Sequence, residues 1–167
     1  MKRAVANIHA SCVVLGRAGG AFGAPKDAGV LLLGPSGAGK SDLALRLLAQ
    51  GAKLIADDRV ELYVVRGALY ARPPKRLAGL IEVRGVGILS NPHAPRARIA
   101  LAVELMAQVE RLPAERRYAP PKLPGLQAEL APPLLRLAPF EASTAAKIAA
   151  AAAAYALGLK RDDANPI

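Results

Sequence analysis

Apolar residues along this chain come in short runs, and glycine or proline closes most of them. Gly29-Val30-Leu31-Leu32-Leu33 is such a run and reads as a buried strand. Ser41 to Gln50 differs: Leu43, Leu45, Leu47 and Leu48 suit a helix, and Gly51 sits where its C-cap belongs. Upstream, Asn7 to Leu15 predicts a first strand, and Gly16 to Asp27, rich in glycine, predicts a loop or wide hairpin. Downstream, Lys53 to Ala56 is a strand that ends at Asp57-Asp58. Val60 to Val65 and Ala68 to Ala71 can pair as a hairpin across Arg66-Gly67. Arg72-Pro73-Pro74 breaks the pattern, Arg76 to Leu80 suits a short helix, and Ile81 to Leu89 is a further apolar run. Ser90 to Arg98 reads as an exposed loop and Ile99 to Leu105 as a strand. Val109 to Leu126 carries Pro113, Pro120, Pro121 and Pro124 and reads as irregular. Pro133 to Leu137 suits a last strand. Glu141 to Leu157 is a helix on the strength of its alanines, the best helix formers. Strands interleaved with helices predict an α/β domain over residues 1–160, with 161–167 as a frayed tail.

Composition narrows the partners. The chain has 167 residues, enough for one domain with its own core. With no Trp and only 4% aromatic residues, that core must be aliphatic and alanine-rich. A net charge of +10 permits a nucleic-acid partner, but the basic residues are spread along the chain, with a modest cluster at Arg111, Arg116 and Arg117. No nucleic-acid-binding motif accompanies them. An anionic ligand and an acidic protein surface account for the charge as well, so no nucleic acid is expected. Cys12 is the only cysteine, which fits a reducing, cytoplasmic setting. Lys2-Arg3 precedes an apolar stretch as in a signal peptide, but Asn7 and His9 interrupt it. No stretch reads as a membrane span.

Chemistry enters at Gly34-Pro35-Ser36-Gly37-Ala38-Gly39-Lys40-Ser41, which fits the phosphate-binding loop pattern between a strand and a helix. Glycines let the backbone turn its N–H groups toward a polyphosphate, and the helix N-terminus adds positive potential. Lys40 reaches outer phosphates in such a loop, and the Ser41 hydroxyl binds Mg2+. ATP and Mg2+ are the expected ligands. A second acidic group belongs near the metal, and Asp57 and Asp58 end a strand shortly after the loop helix. Strand neighbours face opposite sides, so both reach one site only if the strand ends or bends there. One then assists the metal and the other takes a proton; the alternative is a solvated turn pair beside Arg59. Glu82, in an apolar run, either serves the metal or pairs with Arg84. His9 is either an active-site group or a hydrogen-bonded core histidine, and Arg111 either an active-site or a solvated arginine.

Together these residues resemble the catalytic domain of HPr kinase/phosphorylase. The resemblance rests on Ile8-His9-Ala10-Ser11, Gly34 to Ser41, Leu54 to Val60, and Glu82-Val83-Arg84-Gly85-Val86-Gly87-Ile88, the last being the most specific. It implies a P-loop-containing mixed sheet with flanking helices, similar to the phosphoenolpyruvate carboxykinase core. It implies a kinase that phosphorylates a serine of HPr, a phosphocarrier of the sugar phosphotransferase system, and removes that phosphate with inorganic phosphate to give pyrophosphate. It also implies a cytoplasmic homo-oligomer, a hexamer. Residue by residue it makes Lys40 a phosphate ligand, Ser41 and Glu82 metal-associated, Asp58 the proton acceptor, and His9 and Arg111 active-site residues. The sequence itself does not choose between Asp57 and Asp58.

The chain also departs from the family. It resembles the short form of some proteobacteria, without the long form's N-terminal domain. Gly16 to Lys26 is longer than the family's turn, and Ser90-Asn91-Pro92-His93 replaces a Phe-Gly-Ala-Gly-type loop. Where the family has Pro-Val-Arg-Pro-Gly-Arg, this chain has Pro133-Leu134-Leu135-Arg136-Leu137-Ala138-Pro139, which keeps one arginine. That segment serves dephosphorylation in the long form. A small-molecule kinase and a nucleotide-gated regulator are the rival readings. The first lacks an identifiable pocket of its own. The second has no use for both Asp58 and Glu82.

Overall fold

The computed structural model describes residues 2–160, so the expected tail at 161–167 lies outside the described residues. Among the described residues there are ten strands, two α-helices and three short 3-10 helices. One sheet of eight strands has the order β1 (Val5–His9), β5 (Arg59–Val65), β6 (Ala68–Arg72), β9 (Ala97–Leu105), β3 (Gly29–Leu33), β2 (Ser11–Val14) and β4 (Lys53–Ala56), with β10 (Leu134–Leu137) added beside β9. It is mixed: β3 and β10 run parallel to β9, and the other pairs are antiparallel. A separate hairpin joins β7 (Leu80–Val83) to β8 (Gly87–Ser90). The helices are α1 (Lys40–Ala49) and α2 (Thr144–Leu157).

Two apolar clusters sit on opposite faces of the sheet. One packs Val30 and Leu32 of β3 and Leu101 and Val103 of β9 against Leu43 and Leu47 of α1 and Ile148 of α2. The other holds Leu31, Ile55 and Ala102 against Val60, Leu62 and Leu69, because β5 and β6 curl over β2 and β4. Alternate residues of β3 therefore feed both cores, as the two-residue period of a doubly covered strand demands. On β9 the register slips between Ile99 and Leu101, so Ala100 is a bulge that lets the strand change sides.

The expected first strand is two. Ala10 separates β1, which pairs β5, from β2, which pairs β3 and β4. The glycine-rich stretch after it is the expected wide hairpin, with a 3-10 helix at Gly16–Phe22 inside it. The short helix expected at Arg76 to Leu80 is a 3-10 turn at Lys75–Leu77, and Leu80 already opens β7. The apolar run after it folds back on itself at Arg84-Gly85-Val86, where Gly85 has φ +86°. The Arg66-Gly67 turn has φ +48° and +80°, the two left-handed residues that close a two-residue hairpin.

Gly29 opens the strand that leads to the phosphate loop. A Cβ there would lie 2.5 Å from the Arg98 carbonyl oxygen and 3.0 Å from the Ala97 Cβ. We expect Gly29→Ala to force β3 and β9 apart and cost about 1–3 kcal/mol. Urea unfolding followed by circular dichroism checks this; an unchanged midpoint overturns it.

Candidate functional site

Gly34 to Gly39 carries the chain from the end of β3 to α1, and Gly39, with φ +98°, caps the helix without a side chain. The amides of the first helical turn are thus directed at the loop, ready for an anion. A Cβ at Gly39 would sit 2.9 Å from Phe140 Cζ, so glycine is required there both for its dihedral and for its closeness to the ring. Lys40 is only 6% exposed. Its Nζ donates to the carbonyls of Gly34 at 2.7 Å and Pro35 at 2.8 Å, closing the loop into a ring. Burial pulls its pKa down, while the nearby Asp57 and Asp58 carboxylates pull it back up.

Asp57 and Asp58 part company at the end of β4. Asp57 is 5% exposed. Its carboxylate accepts from Ser11 Oγ at 2.6 Å, from Ser41 Oγ at 2.8 Å, and more distantly from the Glu82 backbone N–H at 3.4 Å. Asp58 adopts φ +66°, a left-handed conformation that costs a non-glycine residue about 1 kcal/mol or more. That turn swings its carboxylate out of the strand to 69% exposure, where Oδ1 lies 3.1 Å from His9 Nε2. His9 is therefore not a core histidine. It ends β1 opposite Arg59, which brings it alongside Asp58.

One cavity of about 330 Å³ has His9, Lys40, Ser41, Asp58, Glu82, Arg84 and Phe140 on its wall, and Asp57 is not among its lining residues. Glu82, in spite of the apolar run around it, is exposed on β7, whose buried member is Ile81. No ion pair joins it to Arg84 among the described residues. Arg111 lies in the irregular exposed segment after β9 and lines neither this cavity nor its neighbour. Ser11 and Phe140 join the site without having been given a role in it, and Arg46 stands behind Phe140, donating to the Pro139 and Glu141 carbonyls. Ser11 left a faint signal, a hydroxyl inside an apolar strand. Arg46 and Phe140 left none, because they meet only through tertiary contact.

The donors suit Mg2+. Among the described residues there is no group of three or more His, Cys, Asp or Glu that could hold a metal alone. Ser41 Oγ and Asp57 offer the few hard oxygens that Mg2+ takes from a protein when phosphates and water supply the rest.

The family model described as the HPr Serine kinase C-terminal domain matches residues 20–117, more than half of the chain. The chain belongs to this family. An HPr kinase/phosphorylase of Enterococcus faecalis is 40% identical over 94 residues, 54% of this chain and 30% of that protein. One of Leptothrix cholodnii is 52% identical over 62 residues, 36% of this chain and 19% of that protein. The chain thus spans less than a third of the length of these relatives. The solved HPr(Ser) kinase/phosphatase of Coxiella burnetii superposes with a TM-score of 0.71 over 92% of this chain and 98% of that one, at 21% identity, and shows the shared fold. The match contains Gly34 to Ser41, both aspartates, Glu82 and Arg84; His9 precedes it.

The two aspartates should separate by stability. We expect Asp57→Ala, which strips the buried Ser11 hydroxyl of its acceptor, to lose about 1–3 kcal/mol. Asp58→Gly should change stability by less than about 1 kcal/mol, since relief of the left-handed strain offsets the added chain entropy. Equal losses in thermal melting would contradict the division.

Proposed function

We propose that this chain is a catalytic domain that transfers the terminal phosphoryl group of Mg-ATP to a serine of an HPr-like phosphocarrier. One observation carries the reading: an exposed, histidine-paired Asp58 faces the same small cavity as Lys40 and Ser41. Phosphoryl transfer asks for positioned phosphates, neutralised charge and a group to take the nucleophile's proton, with little covalent work by the protein. Lys40 and the loop amides position and neutralise the phosphates. Ser41 and Asp57 would hold Mg2+, with Glu82 on the same cavity wall as a further oxygen donor; the ion would supply charge neutralisation.

Asp58 takes the serine proton as the new O–P bond forms and the bond to the leaving phosphate oxygen breaks. Asp57 is less suited to that task, because it is buried, held by two hydroxyls and an amide, and does not line the cavity that Asp58 faces. His9 fixes the orientation of Asp58. Arg111 has no part in the proposal. The names of the relatives support HPr as partner, and the family supports a cytoplasmic homo-oligomer. No described helix is long and apolar enough to cross a membrane.

The deciding experiment supplies HPr and Mg-ATP and reads phosphoserine by mass spectrometry. We expect transfer by the native chain and a fall of roughly 10²- to 10⁴-fold in kcat for Asp58→Asn, the range of a lost general base. Unchanged turnover would remove Asp58 from the reaction, and no transfer to HPr by the native chain would remove HPr.

The direction of catalysis gives a second test. Arg136, the one arginine kept from the family's dephosphorylation segment, lies on β10, 2.9 Å from the Glu104 carboxylate, and lines neither cavity. A cation missing opposite inorganic phosphate costs about 1.5–3 kcal/mol, on the order of ten- to a hundredfold in rate. We expect pyrophosphate release from phospho-HPr to run that much slower than in a long-form enzyme. Equal rates would show that other residues hold the phosphate.

A further inference from the structure

Beside the phosphate loop lies a second, larger cavity of about 620 Å³ that takes no part in the proposal above. It shares Gly37 and Phe140 with the first, so the loop and this one ring form the wall between the two. Its surface is apolar, with Pro35, Leu105, Met106 and Pro139 prominent. Among the described residues that line it, Glu141 alone is charged, and its carboxylate is already taken by Lys147 Nζ at 2.5 Å.

Phe140 is the unusual member. It is one of two phenylalanines in the chain and stands 71% exposed, which no packing requirement explains. Its backbone nevertheless is tightly held. Arg46 of α1, itself fixed to Asp42 at 3.0 Å, donates to the Pro139 carbonyl and to the Glu141 carbonyl at 3.2 Å. Thr144 Oγ1 donates to the Ala138 carbonyl at 2.6 Å. An exposed aromatic face on an anchored backbone is a stacking platform that loses little entropy when a flat ring settles on it.

We propose that this cleft takes the purine base of the nucleoside triphosphate whose phosphates occupy Gly34–Ser41, with the base stacked on Phe140 against Met106. The inference rests on the phosphate-loop reading and adds the base site to it. Size fits a small-molecule site, and an apolar lining with no free charged side chain selects a flat ring by stacking and shape. Such a site separates similar rings poorly, whereas one built to hydrogen-bond a particular base would reject others strongly. Arg46 acts as a positioning residue for the platform.

The test is calorimetric binding of ATP and of inorganic tripolyphosphate, each with Mg2+, to the full chain. Tripolyphosphate reports the loop alone, and the difference reports the base. Loss of base stacking on an aromatic side chain weakens binding by roughly fivefold to a hundredfold. We expect Phe140→Ala to weaken ATP by that factor, to leave tripolyphosphate within about twofold, and Phe140→Trp to restore ATP. Because the ring is exposed, neither variant threatens folding. Equal weakening of both ligands, or of neither, overturns the base site while leaving the loop intact. A native chain that binds neither ligand overturns the phosphate-loop reading itself.

Discussion

A carboxylate taken out of water must find hydrogen-bond donors, and Asp57 finds them on three separate parts of the chain. Ser11 comes from β2, Ser41 from the first turn of α1, and the Glu82 amide from β7. None of these segments is a sequence neighbour of the others. One buried acid therefore ties the phosphate loop's helix to the sheet and draws the β7–β8 hairpin over the same cavity. Removing it leaves a buried hydroxyl without a partner and loosens the link between the loop's helix and the sheet, while Ile81 in the core still holds β7 in place.

Charge balance follows from the same arrangement. Lys40 is buried, which disfavours its cation, and the two aspartates oppose that tendency. Its ammonium has carbonyl partners within the loop, and neutral acceptors are more easily exchanged for an anion than a buried ion pair would be. The cation thus stays available to an anion while the loop keeps its shape.

Most of the sheet was legible because each strand is a short apolar run closed by a turn signal: β3, β4 and the β5–β6 hairpin fall where the pattern puts them. The loop between β3 and α1 was legible because its glycines mark it off from the apolar strand before it and the helix after it. What failed did so for stated reasons. Apolar continuity from Ile8 to Leu15 hides the break at Ala10, since both strands need the same kind of residue while pairing with different partners. The run around Glu82 promised a buried strand, but β7 and β8 form a two-stranded ribbon whose Ile88 and Val86 face outward. Burial there is decided by what covers the ribbon, which periodicity does not encode. Phe140 was invisible because its meaning comes from Gly39, far away in sequence.

The adjacent acids show how local strain sorts chemistry. Two consecutive residues on a regular strand point to opposite faces, and a strand continuing past Ala56 would bury one carboxylate and send the other away from the loop. The left-handed turn at Asp58 breaks that geometry. It ends β4, starts β5 through the Arg59 amide bonded to the Asp57 carbonyl at 2.8 Å, and leaves Asp58 beside His9. Position within the turn, and not residue type, assigns one aspartate to the scaffold and the other to the open cavity. Glycine would adopt this conformation with less strain, yet an acid holds the place. Strain retained at a carboxylate that contributes no packing is best explained by the chemistry of the carboxylate itself.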